Sequence, residues 1–197
     1  MGKGRLEAFS DGVLAIILTI MVLELHVPAE KPNLADLIPM VPVFASYVLS
    51  FVYIGIYWNN HHHLLHATRR VDAGVLWANL HLLFWLSLVP FTTRWMGENS
   101  SAPAPTALYG VNLLLCGFAY WILQREIIAE QGADSIVRRA VGADLKGKGS
   151  LAAYACAIPL AYVHQWLADA LYVAVAVMWL VPDRRISRAL ATRVDDA

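Results

Sequence analysis

Long apolar runs, separated by short polar breaks, organise this chain. The first run extends from about Leu6 to His26, is nearly free of charge between Phe9 and Leu23, and stops at Glu24 and Pro28. The second begins near Leu37, with Pro39 and Pro42 in first-turn positions where a missing N–H costs a helix little. It runs through Trp58 into Asn59-Asn60-His61-His62-His63 and His66, and Arg69-Arg70 closes it. The third covers about Gly74–Met96, with Asn79 and His81 inside it and Pro90 as an expected kink. After the Gly- and Pro-rich turn up to Pro105, the fourth covers about Thr106–Leu123 and continues into the amphipathic stretch Gln124–Glu130. Gln131–Gly149 is the most polar part of the chain and is expected to lie outside the membrane. In the last apolar block, Leu151–Val181, Pro159 and the polar group His164, Gln165 and Asp169 favour two short segments over one overlong helix. Several runs reach the roughly 20 apolar residues that a helix needs to cross a ~30 Å hydrocarbon core.

Composition agrees with this pattern. Hydrophobic residues make up 58% of the 197 and charged residues 15%, against about 25% charged in an average soluble domain. The expected fold is therefore all-α, that of a polytopic membrane protein. Seven Trp and eight Tyr fit interfacial belts and helix packing. Lys3, Arg5, Arg69, Arg70, Arg125, Arg138, Arg139, Lys146, Lys148, Arg184, Arg185, Arg188 and Arg193 fall on one side of a six-span layout, and only Lys31 and Arg94 on the other. The positive-inside rule then predicts six transmembrane helices with both termini cytoplasmic, whereas five spans would put the Arg-rich tail outside. Residues 1–183 form the expected six-helix transmembrane domain and 184–197 a charged cytoplasmic tail. No small-residue cleavage site follows the first run, which is expected to stay as a span. Cys116 and Cys156 lie inside apolar segments at no metal-binding spacing and are expected to be buried small hydrophobes without a disulfide.

The polar residues inside the runs are the candidates for chemistry. His62–His66 and His63–His66 have the spacing to hold a metal on one helix face. No acidic residue is interleaved and no cysteine lies near, so a helix end facing headgroups and neighbouring helices is the plainer reading, with no metal and no cofactor. The sequence has no His-Glu-x-x-His, no Gly-x-Ser-x-Gly and no phosphate-cradling glycine loop, and nothing else in it marks an enzyme. No nucleic-acid partner is expected. An intramembrane carboxylate costs ~2.5–3.5 kcal/mol on insertion scales, so Asp11 faces protein or water, or sits near the membrane surface. If buried, Ser10 and Asp11 need donors, and Arg5, Asn59, Asn79 and a histidine, for which His62 is the candidate, are at hand. Trp58, Asn59 and Asn79 read as packing partners for the polar end of the first segment. Ile16, Thr19, Ile20 and Leu23 recur at i, i+3, i+4 and i+7. This face is either core or lipid-facing, or it lines a pore that narrows at branched aliphatics and gates by dewetting. One copy of a helix encloses nothing, so the pore alternative requires a cyclic homo-oligomer.

Arg5-x-x-x-Phe9-Ser10-Asp11-Gly12, running into Val-Leu-Ala-Ile16-x-x-Thr19, resembles the signature of prokaryotic members of the transmembrane protein 175 potassium channel family, relatives of a lysosomal and endosomal channel of animals. Tyr57-Trp58-x-Asn60-His61-His62, Trp77-x-Asn79 and Pro90-Phe91 are also similar to that family. The resemblance implies a six-helix subunit, a homotetramer in the plasma (inner) membrane and a central pore lined by the first helix, without a Thr-Val-Gly-Tyr-Gly filter. It puts the isoleucine constriction on Ile16, further aliphatic layers on Ile20 and Leu23, and a hydroxyl ring on Thr19. It also implies that Arg5, Phe9, Ser10 and Asp11 pack and hydrogen-bond with segments two and three, setting how the pore helix sits. The expected function is passive, weakly selective potassium conduction, with other monovalent cations also permeant and with partners limited to further copies of the chain and the lipid bilayer. The alternative is a proton-coupled or proton-conducting transporter in which Asp11 and the His61–His66 cluster titrate. Beyond Leu23, Glu24 and His26 either form a charged vestibule ring or sit among headgroups.

Overall fold

The computed structural model describes residues 2–26, 33–68, 70–132, 135–142 and 144–180. Pro28, Lys31, Arg69 and the tail expected at 184–197 lie outside the described residues, so the domain boundary at 183 does too.

Helix α1, Lys3–Leu23, has no side-chain cap at Gly2 and holds its place through one docked face: Leu6, Ser10, Leu14, Ile17 and Met21 recur every three or four residues and are all buried. Asn33 opens a 3₁₀ segment, Leu34–Met40, by accepting from the Ala35 N–H at 3.1 Å. Helix α2, Val41–His66, follows it with a proline in its first turn. Asp72 caps α3, Ala73–Ser87, accepting from the Val75 N–H at 2.8 Å. The expected kink at Pro90 is a break: α3 ends at Ser87 and α4, Val89–Glu98, starts anew with Pro90 in its first turn. A proline lacks the N–H that would bond four residues back, and its ring crowds that carbonyl, so the helix is interrupted just before it. Helix α5, Pro103–Gln131, is the longest and stops at Gly132, which adopts φ +68°. A short α6, Ile136–Val141, lies in the polar connection. The last apolar block does divide, into α7, Leu145–Val163, and α8, Gln165–Leu180, on either side of an extended His164.

Among the described residues, four helices are long and apolar enough to cross a membrane: α1, the continuous 3₁₀–α2 unit, the α3–α4 unit and α5. Helix α8 is apolar but only 16 residues long, and α7 begins with Lys146 and Lys148. Three side-chain bonds to backbone carbonyls gather the helix ends. Lys3 Nζ donates to His66 O (2.7 Å), Gln131 Nε2 to Ala67 O (2.9 Å) and Lys146 Nζ to Met178 O (3.3 Å). The start of α1, the ends of α2, α5 and α8 and the start of α7 thus share one end of the bundle, and Lys3, Arg5, Arg70, Arg125, Arg138, Arg139, Lys146 and Lys148 lie on these elements or next to them. Arg94 lies at the opposite end, near the end of α4.

Two packing clusters divide the interior. In one, α1 and α3 pack against the apolar faces of α2 and α5 through Leu14, Ile17, Ile54, Leu82 and Leu123. In the other, α5, α7 and α8 meet α2 around Tyr53, Tyr109, Tyr154 and Tyr172. Buried phenols there need partners, and three of them have one. Tyr53 Oη donates to Tyr172 O (2.6 Å), Tyr172 Oη to Thr106 O (3.0 Å), and Tyr109 Oη pairs with Ser50 Oγ (2.9 Å), which also accepts from Thr93 Oγ1 (2.7 Å). Cys116 is buried in the first cluster, but Cys156 is exposed on α7, contrary to expectation, because its register turns it away from the α5 and α8 contacts; both thiols are free.

The α5–α8 contact is close because Gly110 has no side chain. A Cβ there would collide with Tyr172 Oη and approach Ile158 Cγ1 to 3.2 Å. Gly110→Ala is therefore expected to destabilise the protein by about 1–3 kcal/mol, as overpacking does; thermal unfolding of the purified protein in detergent measures it, and an unchanged midpoint would contradict this packing.

Candidate functional site

Helix α1 has two unlike faces. Its docked face carries Ser10 in the middle of an apolar stripe, fully buried. Ser10 Oγ donates to Leu6 O (2.9 Å) within α1 and accepts from Asn79 Nδ2 of α3 (3.0 Å). Asn79, also fully buried, accepts through Oδ1 from His61 Nε2 of α2 at 2.7 Å, which places the proton of that ring on Nε2. One chain of buried hydrogen bonds therefore joins three helices. Nearer the surface, Trp58 Nε1 of α2 donates to Asp11 Oδ1 at 3.0 Å.

The structure brings Ser10, Asp11, Trp58 and Asn79 together: Asn79, one of the donors at hand in the sequence, meets Ser10, and Trp58 meets Asp11. His61, not His62, is the bonded histidine. The buried positions of α2, Ser46, Ser50, Tyr53, Ile54, His61, Leu64 and Leu65, form one helical stripe, and His62 is about 100° off it. That spacing was present in the sequence and singles out His61. His62 is exposed and stacks between Trp58 (29° interplanar) and His66 (15°), both at 6.2 Å between ring centroids. Asn59 is half-buried without a side-chain hydrogen bond among the described residues; its neighbour Asn60 bonds back to Ile56 O at 2.8 Å. Arg5 and Phe9 are exposed, so Arg5 is not the donor to Asp11; the indole of Trp58 is. No group of three or more metal-ligating side chains occurs among the described residues.

The other face of α1 is open. Ile16 is 59% exposed, Ile20 41% and Leu23 76%, and Thr19 is exposed between them. Thr19 Oγ1 donates to Ile16 O at 2.9 Å, so its proton is taken up by its own helix and its oxygen lone pairs remain available. Beside this face runs a groove of about 710 Å³ between α1 and the α3–α4 unit, lined by Ile16, Ile20, Phe91 and Trp95 among others. At its far end Arg94 Nη1 holds Glu24 Oε2 at 2.5 Å while Nε holds Glu98 Oε1 at 2.9 Å. Glu24 is half of an ion pair tying the end of α1 to α4.

Helix α1 thus turns an apolar face with one hydroxyl outward while its opposite face is hydrogen-bonded in place. Comparison with known proteins gives the family. The sequence model of the family described as endosomal/lysosomal potassium channel TMEM175 matches residues 5–90. A potassium channel of Chryseobacterium sp. (strain P1-3) is 49% identical over 190 residues, covering 96% of this chain and 98% of its own length. The crystal structure of a lysosomal potassium-selective channel TMEM175 homolog from Chamaesiphon minutus superimposes with a TM-score of 0.80 at 26% identity, covering 92% of this chain and 97% of that one. The human endosomal/lysosomal proton channel TMEM175 is 36% identical over 96 residues, which are 43% of this chain and 19% of the human protein. The chain belongs to the TMEM175 family, a family of membrane ion channels and not of enzymes.

The buried chain has a measurable consequence. Asn79→Leu removes the acceptor of His61 and a donor to Ser10, which is expected to cost about 1–3 kcal/mol. His61→Leu added to Asn79→Leu should recover part of that loss, because the orphaned donor disappears with it. Chemical unfolding of both variants in detergent reads the coupling, and strictly additive losses would show that the two side chains are energetically independent.

Proposed function

We propose that the chain is a passive, weakly selective potassium channel that works as a homotetramer, with α1 of each subunit lining a central pore. The observation that carries this reading is the outward face Ile16–Thr19–Ile20–Leu23 on a helix whose rotation is set by Ser10, Asn79 and His61. One such face encloses nothing. Closed rotational symmetry brings equivalent faces to one axis, and four copies form a throat of branched aliphatics with a ring of hydroxyls at Thr19. The groove beside α1 then receives part of the adjacent subunit.

Each subunit crosses the membrane six times in this reading, as α1, α2, the α3–α4 unit, α5, α7 and α8. At 1.5 Å per residue α7 is about 28 Å long and α8 about 24 Å, near the span of a ~30 Å core. The end bearing Lys3, Arg5, Arg70, Arg125, Arg138, Arg139, Lys146 and Lys148 is cytoplasmic, in agreement with the positive-inside rule, and the membrane is the plasma (inner) membrane. Residues 184–197 form a cytoplasmic tail.

Potassium reaches Ile16 partly dehydrated. Sodium holds its water more tightly, so an apolar ring disfavours it, and oxygen lone pairs at Thr19 offer partial replacement for lost hydration. The relatives named as potassium channels support K⁺ as the permeant ion, with other monovalent cations less favoured. A second reading, proton conduction through the same subunits, is favoured by the name of the human relative. Asp11 and the histidines at the end of α2 are the titratable groups it would use.

Flux into liposomes containing the purified protein tests both. Ile16→Asn is expected to raise cation flux and lower the potassium-to-sodium ratio, and Thr19→Ala to lower the ratio by about three- to tenfold, the equivalent of roughly 1 kcal/mol. An unchanged ratio in both variants would move selectivity off α1. Proton flux through the same vesicles that survives the loss of potassium flux would favour the second reading.

A further inference from the structure

A second cavity lies away from α1, between α2, α5, α7 and α8, at the end of the bundle that carries most of the basic residues. Its volume is about 90 Å³. Six aromatic residues form much of its wall: Tyr53, Tyr57, Tyr120, Trp121, Tyr154 and Trp179. Asn60 lies six residues before the end of α2, about 9 Å along the helix at 1.5 Å per residue. The first turn of α7, at Asp144–Gly147, and Trp179 near the end of α8 form its mouth. The cavity therefore starts at headgroup depth and reaches into the hydrocarbon layer.

Two polar side chains on its wall are unpartnered. Gln124 is only 7% exposed, lines the cavity and makes no side-chain hydrogen bond among the described residues. The Tyr57 hydroxyl likewise has no hydrogen-bond partner there, although its ring packs on Tyr120. Their polar atoms open on the cavity, so its occupant supplies their hydrogen bonds, and one that both donates and accepts matches the amide and the hydroxyl together. At the mouth, Lys146 Nζ lies 5.7 Å from the Trp179 ring centroid while donating to Met178 O. One turn below Trp121, Arg125 covers that indole at 4.8 Å. Asp144, the one carboxylate on the lining, accepts from the Gly147 N–H at 3.2 Å and so caps α7. The floor of the site is thus neutral and hydrogen-bonding, its rim carries Lys146 beside the cap-engaged Asp144 with Arg125 just beyond, and Leu145 beside it is 73% exposed, continuing the surface toward lipid.

We infer that this cavity binds a phosphoglycerol group, that of an anionic phospholipid with a glycerol headgroup in the cytoplasmic leaflet. A volume of about 90 Å³ holds roughly three waters at ~30 Å³ each, or the three carbons and hydroxyls of one glycerol unit. The glycerol hydroxyls exchange hydrogen bonds with Gln124 and Tyr57, the phosphate stays at the rim near Lys146, and the acyl chains run outward past Leu145. A choline headgroup has no hydroxyl to offer the amide and carries a cation to a cationic rim. The site is in the outer part of the subunit, far in sequence and in packing from the Ile16 face, and its occupancy does not depend on how α1 conducts.

Native mass spectrometry of the full-length protein, released from mixed micelles of phosphatidylglycerol and phosphatidylcholine, tests the inference. The protein is expected to retain phosphatidylglycerol at least about fivefold over phosphatidylcholine, the equivalent of one net hydrogen bond of ~1 kcal/mol. Tyr57→Phe, which removes one oxygen and keeps the ring, and Gln124→Leu should each reduce that retention by a similar factor. Phe118→Leu, on the exposed side of α5 and outside the lining, should not. Displacement of the lipid by free glycerol 3-phosphate at equal concentration would support the phosphoglycerol chemistry and assign it to a soluble source. Equal retention of the two lipids, or retention that neither Tyr57→Phe nor Gln124→Leu alters, would overturn the inference and leave the cavity to water.

Discussion

In a lipid bilayer an apolar helix surface gains little by choosing one apolar neighbour over another, because acyl chains are as apolar as leucine. The rotation of α1 about its own axis therefore cannot be fixed by Leu14, Ile17 and Met21 alone. It is fixed by Ser10, whose oxygen bonds to Asn79 on α3, which in turn bonds to His61 on α2. Turning α1 by one residue, about 100°, carries Ser10 out of reach of Asn79 and leaves buried polar groups unmet. The same turn would put a different set of side chains on the open face. The set of residues presented at Ile16, Thr19, Ile20 and Leu23 thus depends on a serine on the docked face of the helix, nearer its N-terminus.

The two packing clusters have different characters. Around α1 and α3 the interior is mostly aliphatic, and its polar content is concentrated in the Ser10–Asn79–His61 chain. Around α5, α7 and α8 it is tyrosine-rich, and Tyr53, Tyr109 and Tyr172 each bond across helices. Gly110 lets α8 approach closely enough for Tyr172 to reach Thr106. These cross-helix bonds hold the shorter α7 and α8, which have fewer apolar residues than α5, against the rest of the subunit. Of these tyrosines, Tyr53 also lines the cavity between α2, α5, α7 and α8.

Period and charge made much of this legible. The i, i+3, i+4, i+7 recurrence identified the outward face of α1, and the division of the last apolar block was visible at Pro159 and His164. The polar partners were legible as a set but not as pairs. His61 and His62 are equivalent by composition, and only the stripe through Ser50, Tyr53 and Leu64 distinguishes the buried ring from the exposed one. The Arg94 link to Glu24 was invisible because the two residues are 70 positions apart and nothing local marks either as paired. Cys156 was misplaced for a related reason: an apolar neighbourhood in sequence says that a helix is in the membrane, not which of its faces meets protein. The cavity at Gln124 and Tyr57 depends on four helices meeting and has no signature in any one of them.

The two ends of α1 also bear on selectivity. At the C-terminal end of α1 the Glu24 carboxylate is matched by Arg94, so the approach to the proposed throat lacks the unpaired ring of charge that would concentrate cations strongly. Discrimination against anions then has to arise further in. Thr19 supplies a physical basis for it. Its hydroxyl proton is held by Ile16 O, which turns the oxygen lone pairs away from the helix and leaves the negative end of the dipole on the open face. An oxygen oriented in this way, set between aliphatic layers where the effective dielectric is low, interacts with a passing cation more strongly than the same group would in water. Because it is one neutral dipole per subunit and not a cage of carbonyls, it can replace only part of a hydration shell. In the proposed tetramer, a throat of this construction would favour cations over anions and the more easily dehydrated potassium over sodium, each by a modest factor.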